Sequence, residues 1–316
     1  MTRIHTVTLN PVIDLIYETG RFEKGTTFRC GRFEQIPAGK GINVSYALSC
    51  LGEPSHAYLL IGEQEVHWFG KACHERGIHF HPFAGPFPTR RHCTILERET
   101  GSVTHVQTQG MPVPVEAYEI LRQGLEQQLA RGDILVLSGS VAPGLPAAAY
   151  RELITMSNAK GAVTILDSSG PPLRLGMTAG PFVVKANEKE AGELTGLALQ
   201  DEAREWEALR RMREYPGLAH GVISLGARGI LAGNPAAAWR LRVSMRPGEV
   251  KDTVGCGDTQ VAGLALGIKQ GMDPPGLYRF AIACASAAAV QTGPGRIDKN
   301  TVEAMLERVA CEPAGG

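Results

Sequence analysis

The chain reads as an α/β protein: a doubly wound, mostly parallel sheet with helices on both faces, plus a small separate β-sheet. Three observations predict this. From Pro114 onward, short apolar runs at 134–137, 163–167, 182–185 and 222–225 alternate with helical segments, the rhythm of parallel strands joined by crossover helices. Polar, glycine-rich loops at 138–144, 167–170, 185–190, 224–229 and 252–258 each follow a predicted strand. They would gather at one edge of the sheet, where ligands of such folds lie. β-like segments at 27–36, 92–97 and 103–108 stand outside the rhythm and predict the separate sheet.

Composition narrows the class. The 316 residues suffice for one large α/β domain, and no linker, low-complexity run or internal repeat divides them, so 1–316 reads as a single domain. Hydrophobic residues make up 43%, enough for a core. Lys plus Arg equals Asp plus Glu at 32 each, so no global charge draws the chain to nucleic acid or a membrane. The seven cysteines are scattered and never spaced C-x-x-C, which suits a reducing compartment better than a disulfide framework or a zinc site. No charged and apolar leader follows Met1 and no apolar run could span a bilayer; a cytoplasmic protein is expected.

In chain order, 4–9 alternates as a first strand and stops at Asn10-Pro11. Asp14 follows among apolar residues 12–17, either facing water from an exposed strand or serving a site. The strand at 27–36 ends in Pro37-Ala-Gly-Lys-Gly-Ile-Asn43 before an apolar helix at 44–51. Lys40 between two glycines is not a P-loop, since Gly41 stands where Ser or Thr is needed, but a lysine in a helix-entry turn suits an anion. A strand at 57–61 and a helix at 66–76, closed by Gly77, come next. His67, His74, His79 and His81 match no zinc spacing and read as surface or strand residues. Arg90 and Arg91, ordinarily solvated charge, precede the strand at 92–97 and would reach an acidic ligand; a turn at Thr100-Gly-Ser leads to 103–108. Helices at 116–130, 147–160 and 202–213, one opening at Asn187, and strands at 230–232 and 239–243 complete the alternation. Helices at about 277–290 and 300–309 close the chain.

The sharpest element is Asp252-Thr-Val-Gly-Cys-Gly-Asp258, followed by a helix at 259–270. Glycines before a helix let bare backbone N–H groups converge on an anion, helped by the helix dipole. Asp258 is open to two readings: an ordinary helix-start acid, or a catalytic carboxylate beside an anion hole.

With these residues placed, the chain resembles the ribokinase-like (phosphofructokinase B) carbohydrate kinases, in the branch of 1-phosphofructokinase and tagatose-6-phosphate kinase. The likeness spans about 4–309 through Thr8-Leu-Asn-Pro-Val-Ile-Asp14, Gly39-Lys-Gly-Ile-Asn-Val44, Leu137-Ser-Gly-Ser140 with Pro143-Gly-Leu-Pro146, Leu166-Asp-Ser-Ser-Gly170, Asn187-x-x-Glu190, Ser224-Leu-Gly-Ala227 and the 252–258 element. It implies an ATP-dependent kinase acting on a sugar hydroxyl. Asp258 would take the hydroxyl proton, and Gly255, Cys256 and Gly257 would supply the anion hole. An acid at a helix start is expected to have a low pKa. Asn187 and Glu190 would organise Mg²⁺ through water, with Ser224, Gly226 and Gly229 near the nucleotide. Asp14, Gly39, Lys40 and Asn43 match sugar-binding positions. Lys40 with Arg90, or Arg91 in its stead, would hold a phosphate already on the sugar. The segments at about 12–37 and 88–110 would form a lid, through which a homodimer is expected.

Several positions depart from the family pattern. Cys256 replaces an alanine, Lys185-Ala-Asn replaces Lys-Pro-Asn, Ala38 stands before Gly39 where a second glycine is common, and His105 and Gln107 replace the lid strand's Glu and Asn. The catalytic end is thus intact and the substrate end altered. The leading expectation is a kinase making a sugar bisphosphate from fructose 1-phosphate or tagatose 6-phosphate. The alternatives are a kinase of a neutral sugar or nucleoside, and a catalytically silent sugar- or nucleotide-binding regulator on the same fold.

Overall fold

The computed structural model describes residues 2–314. Fourteen strands and ten α-helices follow in the order β1 (Ile4–Thr8), β2 (Val12–Thr19), β3 (Arg32–Ala38), α1 (Lys40–Cys50), β4 (Ser55–Gly62), α2 (Val66–Glu75), β5 (Ile78–Gly85), β6 (Arg90–Glu97), β7 (Val103–Val106), α3 (Val115–Gln128), β8 (Ile134–Ser138), α4 (Ala149–Ala159), β9 (Val163–Asp167), α5 (Gly170–Met177), β10 (Val183–Asn187), α6 (Glu188–Thr195), α7 (Glu202–Arg213), β11 (His220–Ser224), β12 (Ile230–Gly233), β13 (Ala238–Val243), α8 (Cys256–Lys269), α9 (Pro274–Ala289), α10 (Lys299–Glu307) and β14 (Val309–Pro313). Among the described residues no helix is long and apolar enough to cross a membrane.

Ten strands form one sheet in the order β14-β13-β12-β11-β10-β9-β8-β1-β4-β5. It is parallel from β11 to β5, and β12, β13 and β14 add an antiparallel margin. Strand alternation explains the two-sided core. Val184 belongs to the apolar layer under α3–α7, whereas its neighbour Val183 belongs to the layer under α1, α8, α9 and α10. Helix α8 is buried along most of its length, from Asp258 to Gly267.

The second sheet, β3-β2-β6-β7, stands apart. Its roots pack on the body through Ile13 and Leu15, beside Ile42, Leu59 and Phe69. The predicted strand at 27–36 is displaced: β3 starts at Arg32, and 27–31 is irregular. Strand β5, helix α5 and strand β14 carry no expectation from the sequence.

Candidate active site

The parallel strands end in polar groups along one edge: Ser138 closes β8, Asp167 closes β9, Asn187 closes β10 and Ser224 closes β11. Helix α8 brings its N-terminus to this edge. Gly255 caps it with φ 80, a left-handed conformation, and a Cβ there would stand 2.8 Å from Pro294 Cα. A Cβ on Gly257 would stand 2.7 Å from Lys185 Nζ, so a bare backbone at 257 lets an ammonium lie against the start of α8. Asp258 is 5% exposed, and its Oδ2 accepts a 2.7 Å hydrogen bond from Asn43 Nδ2 of α1. The two helix starts singled out in the sequence therefore meet.

Two lysines and a second carboxylate complete the cluster. Asp167 is fully buried. Its oxygens accept from Lys40 Nζ at 3.2 and 3.3 Å, from Lys185 Nζ at 3.3 Å and from Ser138 Oγ at 3.0 Å. Burial opposes its charge, but Lys185, Lys40 and the Ser138 hydroxyl hold its carboxyl below the usual range. Burial likewise opposes the charge of Lys40, yet Asp167, Asp258 and Glu190 outweigh it and raise its pKa. Asp167 and Lys185 carry no role among the expectations from sequence. The signal was present, since charged residues in buried parallel strands require partners.

The low pKa expected for Asp258 is overturned. Burial pushes its carboxyl up to about 6, and Asp167 adds to the rise against the opposing pull of Lys40, Asn43 and Lys185. Desolvation in this pocket outweighs the helix dipole. Cys256 directs its thiol back toward the Asp252 carbonyl, with Sγ 3.8 Å from that oxygen. Burial, then Asp252 and Asp258, push the thiol up to about 11.

At the end of β10, Asn187 and Glu190 form a reciprocal capping box. Asn187 Oδ1 accepts from Glu190 N at 2.9 Å, and Glu190 Oε2 accepts from Asn187 N at 2.8 Å. Ser224 Oγ donates to Gln260 Oε1 at 2.6 Å, tying the end of β11 to α8. Gly226 (φ 61) borders open space, whereas Gly229 (φ 88) is required both by its left-handed backbone and by packing, since a Cβ there would meet Leu241 O at 2.0 Å. Among the described residues no three His, Cys, Asp or Glu side chains are grouped to hold a metal. The buried, partly engaged Glu190 fits a Mg²⁺ carried by nucleotide phosphates and water rather than a resident ion.

On the four-stranded sheet, Asp14 Oδ1 accepts from Thr94 Oγ1 at 3.0 Å, so the side chain does not merely face water. Arg90 donates to the carbonyls of Asn10, Pro11 and Thr108 at 2.9, 3.4 and 3.3 Å. Arg91 pairs with Glu65 at 3.1 Å. The β2–β6 register sets Arg90 opposite Val12 and Arg91 opposite Ile13. Alternation then puts Arg90 on the face of Asp14 and Arg91 on the other face, so only Arg90 shares Asp14's side.

A buried carboxylate at a glycine-capped helix start, near a second carboxylate that bonds two lysines, lies at the carboxyl edge of a parallel sheet, where anionic ligands of such folds bind. Comparison with known proteins agrees. The pfkB family carbohydrate kinase profile matches residues 7–300. The 1-phosphofructokinase of Escherichia coli K12 is 32% identical over 98% of each chain, and that of Vibrio cholerae is 30% identical over 99% of each. Among solved structures, phosphofructokinase-2 from Escherichia coli, in complex with potassium, superposes with a TM-score of 0.92 at 24% identity, covering 97% of this chain and 99% of that one. A possible 1-phosphofructokinase from Thermotoga maritima gives 0.87 at 21% identity, covering 99% and 100%. The chain belongs to the pfkB family of carbohydrate kinases. It is a phosphotransferase with an alcohol group as acceptor and ATP as donor.

Proposed function

We propose that the protein phosphorylates a hydroxyl of a phosphosugar of the fructose 1-phosphate or tagatose 6-phosphate type, giving a sugar bisphosphate. The observation that carries the reading is the 2.7 Å Asn43–Asp258 contact, which sets a buried carboxylate with a pKa of about 6 where the two helix starts converge. Asp258 orients the acceptor hydroxyl and takes its proton as the oxygen bonds to the γ-phosphorus and the bridging bond to ADP breaks. The backbone N–H groups of 255–257 and the Lys185 ammonium beside them stabilise charge on the transferring phosphoryl group. Asp167 favours the charged form of Lys40 and holds both Lys40 and Lys185 in place. Asn187, Ser224, Gly226 and Gly229 border the nucleotide. Mg²⁺, held through water by Glu190, would neutralise the nucleotide phosphates.

On the substrate side, Asp14, Gly39, Lys40 and Asn43 bind the sugar, and Arg90 is the lid cation that meets its phosphate. That role requires the Arg90 guanidinium to exchange part of its carbonyl contacts for the phosphate. The lid face opposite Asp14 leaves Phe33 and Val106 50% and 55% exposed, which supports pairing of lids in a homodimer.

An ADP-release assay with Mg-ATP tests the reading. The acceptors are fructose 1-phosphate, fructose 6-phosphate, tagatose 6-phosphate, fructose, ribose and adenosine. Turnover confined to phosphosugars is expected. Faster turnover of a neutral sugar would overturn the phosphate site, and silence with ATP bound would favour a regulator.

A further inference from the structure

Asp14 is held by a hydrogen-bond chain that crosses three lid strands. Thr94 Oγ1 of β6 lies 3.0 Å from Asp14 Oδ1 of β2 and 3.1 Å from His105 Nδ1 of β7. Register makes the chain possible. The parallel β2–β6 pairing sets Thr94 opposite Ile16, one step along the face from Asp14, and the antiparallel β6–β7 pairing sets it opposite His105. The proton count fixes its direction. Thr94 Oγ1 donates its one hydroxyl hydrogen to Asp14 Oδ1. Thr94 must then accept from His105, whose Nδ1 carries a hydrogen. Thr94 is only 7% exposed, so water does not readily replace a lost partner. Among the described residues no other side chain bonds Asp14, and Oδ2 stays available to a ligand hydroxyl.

We infer that Thr94 and His105 are positioning residues for the acceptor sugar, fixing Asp14 Oδ1 through a relay so that Oδ2 meets a sugar hydroxyl. The inference rests on Asp14 binding the sugar, as proposed above. It also gives a task to His105, a position where the chain departs from its family's pattern.

The test is steady-state kinetics on the full chain with the phosphosugar that the acceptor panel identifies. Thr94→Val keeps shape and removes the hydroxyl. It should raise the phosphosugar KM about tenfold, with kcat and the ATP KM within about twofold. His105→Leu should raise that KM about threefold, and His105→Asn, whose amide replaces the Nδ1 donor, should restore it. The Thr94→Val/His105→Leu double variant should be no worse than Thr94→Val, because both break one chain. Unchanged phosphosugar KM in Thr94→Val, while Asp14→Asn raises it, would overturn the relay and leave the sugar site standing. Additive effects in the double variant, or a loss confined to kcat, would also overturn it. If Asp14→Asn leaves the KM unmoved, the reading of Asp14 falls and the relay with it.

Discussion

Asp258 carries opposite consequences for activity and stability. Its folded pKa of about 6 lies above the value of an exposed aspartate, so the folded state binds more protons between these values. The stability that this group contributes is complete below the unfolded pKa and is lost as pH rises through 6. At neutral pH the buried carboxylate is therefore ionised at a cost. Asp258→Asn removes the charge while keeping an amide for Asn43. We expect it to stabilise the fold at pH 7.5 by on the order of 2 kcal/mol, read as a higher Tm. The same change should cut kcat by orders of magnitude with little effect on the ATP KM, because the proton acceptor acts only as the transition state forms. In the intact enzyme kcat/KM should rise through pH 6 to a plateau. A variant with near-normal turnover and unchanged Tm would return Asp258 to an ordinary helix-start acid.

At the scale of elements, the edge of the sheet opposite the site holds a histidine ladder. His5 of β1 pairs in register with His56 of β4, and His56 with His79 of β5. Their rings stack at 5.2 and 4.7 Å, and His56 Nδ1 lies 3.0 Å from His81 Nε2. Burial, then mutual repulsion with His5, His79 and His81, lowers His56 to about 4; burial lowers His5 and His81 as well. In the fold His5, His56 and His81 favour the neutral form, whereas the unfolded chain takes up protons below the ordinary histidine pKa. Stability should thus be full above about pH 6.5 and decline toward pH 4. His56→Phe keeps the stacking and should flatten the fall of Tm over that window; an unchanged slope would exclude the ladder as its source. The ladder also marks what local sequence conceals. The strands from β8 to β11 were legible because strands buried on both faces read as apolar runs between helical segments. Strand β5, Ile-His-Phe-His-Pro-Phe-Ala-Gly, carries two histidines and a proline, and its partners become visible only through register. The glycine-flanked helix starts that carry Asn43 and Asp258 were each legible, but not the contact between them. The Asp167 bridge between Lys40 and Lys185 was not legible, because it joins three elements distant in sequence. The antiparallel sense of β12–β14 is likewise set by packing rather than by local pattern.

At the scale of the whole molecule, a deeply buried ten-stranded sheet stands beside a more exposed four-stranded sheet, and the proposed substrate residues are divided between them. Asp258, Lys40 and Lys185 sit on the body and Asp14 on the smaller sheet. Strands β8 and β9 are buried almost throughout, whereas β7 and the first half of β3 are exposed. Local opening should therefore be easy in the small sheet and rare in the body. On the proposed reading, a phosphosugar touching both parts would add contacts that exist only when the small sheet covers the site, and that cover would keep water from the phosphoryl group. Backbone amides of β3 and β7 should exchange with solvent faster than those of β8 and β9 in the free protein. Addition of the phosphosugar with a non-hydrolysable ATP analogue should slow exchange in β2, β3 and β6 while leaving α10 unchanged. ATP without sugar should be hydrolysed at only a small fraction of the kinase rate. Exchange in β2, β3 and β6 that ignores the ligands, or fast ATP hydrolysis without a sugar, would show that this sheet does not close the site.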